Sequence, residues 1–567
     1  MKEQQEKYNL PEGWIWTTID EVGIVVSGGT PSTKNKEFWG GDIAWITPAD
    51  LSGYSEKYIL KGSRNITQIG LDYSSAKLLP KGSVLFSSRA PIGYVVLAQN
   101  TLTTSQGFKN LIPMNQVDSE YIYYYFLTLK SQAEQVASGT TFLELSAKSF
   151  SKLPFPLCSL DEQRLIVSQI DLLFSKLDEA KKGLRTANSS LKIYRQALLK
   201  NAFEGQLTSN WRKDLRIDAY QELTDIKRKR KYKYDTEVNN KKRKKIKIDF
   251  EFSYERDNRI SSWAVSNLDN LIDINARIGW RGLTKKEYTS EGALFLSVHS
   301  LNYGKNVVFK DANFISIQRY EESPEIQLKE NDILLCKDGA GIGKVGIIKK
   351  LPDIATVNSS LLVIDAREVF NPDFLYYFFL GPDMQRLVNE KISGSAIPHL
   401  FQKDIKKFKL KVPPILEQDK IVEILESRFT LVDNLEKTID NVLNEIIALK
   451  HSILKKAFEG RLVSYTSNES VENLLNDIQE EKRLYLENQK EMNRSKSKQK
   501  KKMEEKKSIL DILKKSDSPI SAQELWEKST SEGDIERFYS EIKEIYHQID
   551  EVKSKTESLL TLKDENK

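Results

Sequence analysis

The chain has 567 residues, 39% hydrophobic and 10% aromatic, which supports several cores and, at roughly 150 residues each, about four domains. Its two cysteines, Cys158 and Cys336, lie far apart, which excludes a disulfide framework and a CxxC metal spacing and leads us to expect a reducing, cytoplasmic setting. No run approaches 18 apolar residues and the N-terminus lacks an apolar h-region, so neither a membrane span nor a signal peptide is expected. The formal charge of +6 is uneven: residues 227–247 hold 12 basic and 2 acidic side chains, leaving the remainder near −4.

In chain order, residues 1–157 read as a globular, mostly β unit. Short runs such as "DIAWI", "SVLFSS" and "GYVVLA" alternate with Gly, Pro and Ser turns, followed by a helical stretch at 119–138. Residues 158–208 pass through "PFPLCSLDEQ" into a long helix. Ile166, Ile170, Leu173, Leu177, Ala180, Leu184, Ala187, Leu191, Tyr194 and Leu198 form an unbroken 4-3 heptad stripe along it. Residues 209–259 contain the basic run and read as a solvated linker, which could also neutralise phosphates.

Residues 260–414 repeat the β pattern ("ALFLSV", "DILLCK", "SLLVID"). Residues 415–465 repeat the helix, with Ile421, Leu425, Val432, Leu435, Ile439, Val442, Ile446, Leu449 and Ile453 in the stripe and Arg428 interrupting it. Pairing of the two matched stripes is expected. Residues 466–506 read as a charged helical or disordered spacer. Residues 507–567 read as three short helices in a helix-turn-helix-like module, with a capping box at Ser521 and Glu524.

The halves are copies. From 162–207 against 417–462 the segments align without a gap and 14 of 46 positions are identical, ending in "KNAFEGQL" and "KKAFEGRL". Upstream, Trp14 falls on Trp263, Ile92-Gly93 on Ile342-Gly343 and Gly139 on Gly394. A period near 250 residues is a duplicated unit rather than a solenoid repeat.

Catalytic motifs fail on inspection. "KDGAGIGKVG" (337–346) puts Asp338 where a phosphate loop needs glycine and Val345 where it needs a hydroxyl. The one double proline, Pro413-Pro414, sits between valine and isoleucine rather than in the D/N-P-P-Y/F loop of an amino-methyltransferase, and no glycine-rich loop opens a Rossmann unit. A nuclease core from Asp383, Asp404 and Lys406 has no counterpart in the first copy. The four scattered histidines offer no metal-ligand pair.

Binding suits the loops better. The candidates are Thr30, Ser32, Lys34, Lys36, Ser88, Arg89, Thr104, Gln106, Thr140 and Thr141 in the first unit. In the second they are Arg277, Arg281, Lys285, Lys337, Asn358, Ser359, Ser395 and His399. These residue types reach base edges and phosphates, and their loops recur in the same order with different contents.

Together, "LPEGWIWTTIDEVGIVVSGGTPS", "KGSVLFSSRAPIGYV", "SGTTFLELSAKSFSKLPFPLCSLDEQ", "SGSAIPHLFQKDIKKFKLKVPPILEQDKIV" and the two "AFEG" helix ends resemble the specificity subunits of type I restriction–modification systems. The resemblance covers about residues 10–465. It implies an α+β fold: two mostly-β target recognition domains joined by two long antiparallel coiled-coil helices, plus a helical C-terminal extension. It implies a non-catalytic subunit in which each domain reads half of a bipartite site in double-stranded DNA. It further implies two methyltransferase subunits on the helices and restriction/translocase subunits beyond, with S-adenosylmethionine, ATP and magnesium in those partners and no cofactor in this chain. The basic linker and the tail after 465 exceed the family pattern. The competing reading is a self-sufficient restriction or modification enzyme with an unrecognised active site.

Overall fold

The computed structural model describes residues 9–139, 143–213, 215–239, 248–277, 283–393, 399–464, 471–504, 507–516, 518–531, 533–553 and 558–563. The chain divides into two compact units, residues 1–176 with 448–567 and residues 177–447. Each holds one β-rich domain, the start of one long helix and the end of the other.

In the first unit, Ile15–Thr18 pairs antiparallel with Pro154–Leu157, so the domain's two chain ends meet. Between them lies a five-stranded sheet in the order Gly23–Ser27, Phe108–Pro113, Val84–Ser88, Ile92–Ala98, Tyr58–Ile59. A three-stranded sheet of Arg64–Ile66, Trp39–Ile46 and Thr103–Thr104 accompanies it. Leu85, Val96, Phe108 and Ile46 fill a core between them. The expected helical stretch is two helices, Ser119–Phe126 and Lys130–Val136.

The second unit repeats this plan. Ala264–Asn267 pairs with Lys409–Val412 at the chain ends, and two four-stranded sheets carry the body. Pro372–Leu380 and Pro382–Ser393 are its helix pair, broken at Gly381-Pro382 because proline cannot continue the preceding ladder.

The long helices are Leu160–Phe203 and Ile415–Phe458, 44 residues each, or about 66 Å at 1.5 Å per residue. In the second unit, Arg195 bonds Asp433 and, at 3.0 Å, Glu436. Thr208 and Arg212, beyond that helix's end, reach Glu417 at 2.7 and 2.8 Å. Partner numbers fall as the first helix rises, so the pair is antiparallel.

The repeated "AFEG" now has a physical cause. Gly205 and Gly460 take φ of +75° and +65°, and Gln206 N–H bonds Asn201 C=O as Arg461 N–H bonds Lys456 C=O. With Gly205 to Ala202 and Gly460 to Ala457, both helices end in a Schellman motif that only glycine enters without strain. The phenylalanine beside each glycine anchors the helix end in its own unit. Phe203 packs on Phe374 and Phe378, and Phe458 on Tyr121 and Tyr125.

Three expectations change. Along the second helix Val432, Ile439 and Ile446 are buried as expected, but Leu435 is 52% and Leu449 48% exposed. The covered face passes instead through Phe429, Glu436, Leu443 and Lys450. On the first helix the less exposed residues are likewise Lys181, Asn188 and Arg195, not Ala180, Ala187 and Tyr194. Every second heptad position has moved one residue along, and one of these, Arg195, bridges to Asp433 and Glu436 on the other helix.

The basic run is also not a free tether throughout. Ala219–Asn239 is helical with Ala219, Leu223 and Arg230 buried. Arg230 bonds Glu368 at 2.6 Å and the Asp249 carbonyl at 3.0 Å, and Tyr254–Arg256 adds a strand to the second domain. Residues 240–247 lie outside the described residues.

Finally, the C-terminal module carries strands as well as helices. Ile509–Lys514, Ile520–Ser521, Ala522–Lys528, Ile535–Ile545, Ile549–Lys553 and Ser558–Leu562 follow in order. The first strand pairs the last, the arrangement of a winged helix, around a core of Leu513, Leu525, Phe538 and Leu560. The helix Val471–Glu504 ahead of it buries Val471, Leu474 and Ile478. It also ties to the first domain: Glu481 accepts from the Asn115 N–H at 3.0 Å, and Lys482 donates to the Asp20 carbonyl.

Candidate nucleic-acid interface

The loops singled out in each copy come together in space. In the first unit the Ser88 N–H bonds Gly107 C=O, the Ser105 N–H bonds Ile46 C=O, and the Leu145 N–H bonds Ser88 C=O. In the second unit the Lys337 N–H bonds Ser360 C=O, the Asn358 N–H bonds Leu296 C=O, and the Leu400 N–H bonds Lys337 C=O. The same three bonds tie the same three loops. An isolated antiparallel bridge completes the match, Arg89 with Glu144 and Asp338 with His399. Gly93 and Gly343, at φ of +100° and +84°, follow these tips. A Cβ there would meet Lys130 or Val388, each in the second helix of its domain's helix pair, at 2.9 and 2.7 Å, so the shared Ile-Gly pair is a packing requirement rather than a phosphate-loop remnant.

Within this frame the candidate residues divide. Ser32, Lys34, Lys36 and Gln106 are exposed in the first unit, and Thr30, half-buried, bonds Gln106. Arg89 is half-exposed and faces Glu144 at 3.5 Å. In the second unit Lys285 and Ser359 are exposed, and Asn358 caps its own turn by accepting from the Ser360 N–H. Lys337 sits 2.5 Å from Asp338, and His399 Nδ1 bonds the other oxygen of that carboxylate. Thr140, Thr141, Arg281 and Ser395 lie outside the described residues.

Ser88, Thr104 and Arg277 are buried and serve their own domains. The Asn110 amide donates to Thr104 Oγ1 at 2.8 Å, while Arg277 donates to Val357 C=O at 3.1 Å and Thr356 Oγ1 at 3.3 Å. Burial pulls the Arg277 guanidinium below its ordinary range, aided by nearby Arg319. These side chains hold loops in shape.

Other residues of the cluster escaped sequence reasoning. Lys109 is buried beneath the first bridge, 3.4 Å from Ser88 Oγ, and burial pulls its ammonium below the usual lysine range. Exposed Arg64 stacks on Trp39 at 3.7 Å, and with Lys61 and Asn65 they line a cleft of about 450 Å³. An aromatic face, two cations and an amide suit phosphate and base contacts. Glu144 and Asp338, acids that a search for DNA-facing residue types does not single out, lie opposite Arg89 and His399 across the bridges.

Each domain is locked to the start of its long helix by one motif. Trp14 Nε1 donates to Glu162 at 3.0 Å, and Trp263 Nε1 donates to Glu417 at 2.8 Å. The adjacent glutamines repeat too: Gln163 accepts from the Asp118 N–H as Gln418 accepts from the Asn371 N–H. Burial pushes the Glu162 carboxyl above the ordinary range, with the Trp14 bond opposing.

Among the described residues, no group of three His, Cys, Asp or Glu is placed to hold a metal ion, and no helix is long and apolar enough to cross a membrane. The model of the type I restriction modification DNA specificity domain matches twice, over residues 11–186 and 260–445. The chain belongs to this family. As a specificity subunit it is similar to the type I restriction enzyme MjaIX specificity subunit of Methanocaldococcus jannaschii. The two are 29% identical over 459 residues, which cover 80% of this chain and 94% of that one. The EcoKI specificity subunit of Escherichia coli K12 is 22% identical over 481 residues, 80% and 90% of the two chains. A chain solved in a study of assembly and conformational transition of the type I R-M system superposes with a TM-score of 0.55 at 18% identity. That match covers 80% of this specificity subunit and all of the other chain, and it shows the shared α+β fold.

Proposed function

We propose that this specificity subunit reads a bipartite site in double-stranded DNA, the loop cluster of each domain contacting one half. The observation that carries this is the duplicated backbone frame with different side chains at its tips. One scaffold presenting two unlike polar surfaces fits an asymmetric site. Exposed Lys34, Lys36 and Lys285 supply phosphate contacts that set register without reading sequence.

The chain itself does no chemistry. Methylation of adenine and cleavage belong to two methyltransferase subunits and to restriction/translocase subunits, which hold S-adenosylmethionine, ATP and magnesium. Support for docking comes from the helices: Leu431 and Leu435, one turn apart, both remain more than half exposed on the second. Exposed leucines on an already paired helix are what a further subunit would cover.

The test is a domain exchange. Replacing residues 14–156 with the first domain of another family member and sequencing the methylated bases in cells should change one half-site and leave the other intact. Coupled change of both halves would overturn the reading.

A further inference from the structure

At the bridge between the loop tips the two domains share a backbone pairing yet exchange chemistry. In the first domain the cation, Arg89, comes from the turn after Val84–Ser88, and the carboxylate, Glu144, comes from the segment leading to the last strand. In the second domain the carboxylate, Asp338, takes the turn position after Ile333–Cys336, and the imidazole, His399, takes the later one. The polarity across the bridge is reversed. Resting on the DNA-reading function above, we propose that Arg89 and His399 are base-reading side chains at equivalent points of the two domains, with Glu144 and Asp338 as their positioning residues.

The geometry supports these roles. All four side chains are about 30–46% exposed, enough to meet a duplex while still touching each other. Arg89 places one Nη 3.5 Å from Glu144, its one side-chain bond among the described residues, and a guanidinium carries five donors. The fork matches the O6 and N7 acceptors of guanine in the major groove. His399 gives Nδ1 to Asp338, whose second oxygen holds Lys337 at 2.5 Å. The carboxylate is thus fixed from two sides and turns Nε2 outward. Phe401, with its ring centroid 4.2 Å from the imidazole, limits the ring's swing. Beneath the first bridge, buried Lys109 lies against Ser88 and backs the turn that carries Arg89.

The experiment uses this chain assembled with its methyltransferase subunits, acting on a duplex library randomised across both half-sites, with methylated molecules sequenced. Arg89→Ala is expected to relax one guanine-containing position of the first half-site by roughly 10- to 100-fold, the scale of one bidentate contact. His399→Ala should relax one position of the second half-site only. Glu144→Gln and Asp338→Asn should relax the same two positions less. Arg89→Gln, which keeps an amide facing Glu144, serves if Arg89→Ala does not assemble, and should also lose the guanine preference.

Methylation falling equally on all sequences would make these residues phosphate or folding contacts and overturn the assignment. So would an unchanged motif, or relaxation in the wrong half. If exchanging residues 14–156 switches a half-site while the point variants leave it unchanged, only this assignment fails. If the exchange also leaves both halves unchanged, the underlying DNA-reading function fails.

Discussion

The two domains share the backbone bonds of their loop cluster and differ in the charged groups set on that frame. Among the described residues the Glu162 carboxylate receives one bond, from Trp14, whereas Glu417 receives Trp263, Thr208 and Arg212. The turn before the central strand is closed by the same backbone bond in each, Ser83 to Pro80 and Asp332 to Lys329. It carries a neutral hydroxyl in one copy and a buried carboxylate in the other. Duplication has kept a geometry and released the charges on it. Domains of one architecture should therefore respond differently to pH and to loss of a carboxylate.

The largest contrast is expected at the helix starts. Glu417→Ala leaves the Arg212 guanidinium and the Trp263 indole without their buried acceptor, and removing one partner of such a pair costs about 3–5 kcal/mol. Hydrogen exchange should show the second unit opening at lower denaturant while the first is unchanged. An unaltered second unit would remove the ion pair from the account.

Next comes pH. Burial pushes the Asp332 carboxyl up to about 7. A folded-state pKa above the unfolded one means the stabilising protonated form is fully present near pH 4. The contribution is then lost as pH rises through about 7. Asp332→Ser, which copies the first domain, should flatten this decline and raise stability above neutral pH by about 2–3 kcal/mol. A decline that persists in the variant would point to another group.

Glu162→Gln is the smallest effect, under about 1 kcal/mol, because the Trp14 donor keeps an oxygen acceptor. The same change at Glu417 also breaks a charge pair and should cost more. Equal effects in thermal melts would erase the contrast between the two starts.

Much of this architecture was legible before any coordinates. Identical "EQ" and "AFEG" segments marked both ends of each long helix because latch and cap each require particular side chains. The covered face of the helices was misread by one residue at alternate positions, since a heptad pattern ranks Leu435 above Glu436 and cannot see Arg195 pairing opposite. The wing strands of the C-terminal module were missed, although "SLLTL" has strand composition. Short strands are decided by their partners, not by propensity.

Among site residues, polarity alone could not separate Arg277, sealed inside, from Arg89 at a tip, because both sit in glycine-containing loops. Comparing the copies could have found Glu144 and Asp338. Their significance lies in the exchange across the bridge, which a single loop does not display.

The pairing of Ile15–Thr18 with Pro154–Leu157, and of Ala264–Asn267 with Lys409–Val412, bears on heredity. Because these two strands are neighbours in each domain, everything between them hangs from a seam four residues wide on each side. A crossover in the DNA encoding such a seam substitutes an entire reading surface in one event. The incoming segment has only to match the seam and the Trp–Glu latch beside it. New specificities can therefore arise by recombination among relatives, without passing through intermediates whose two strands no longer fit.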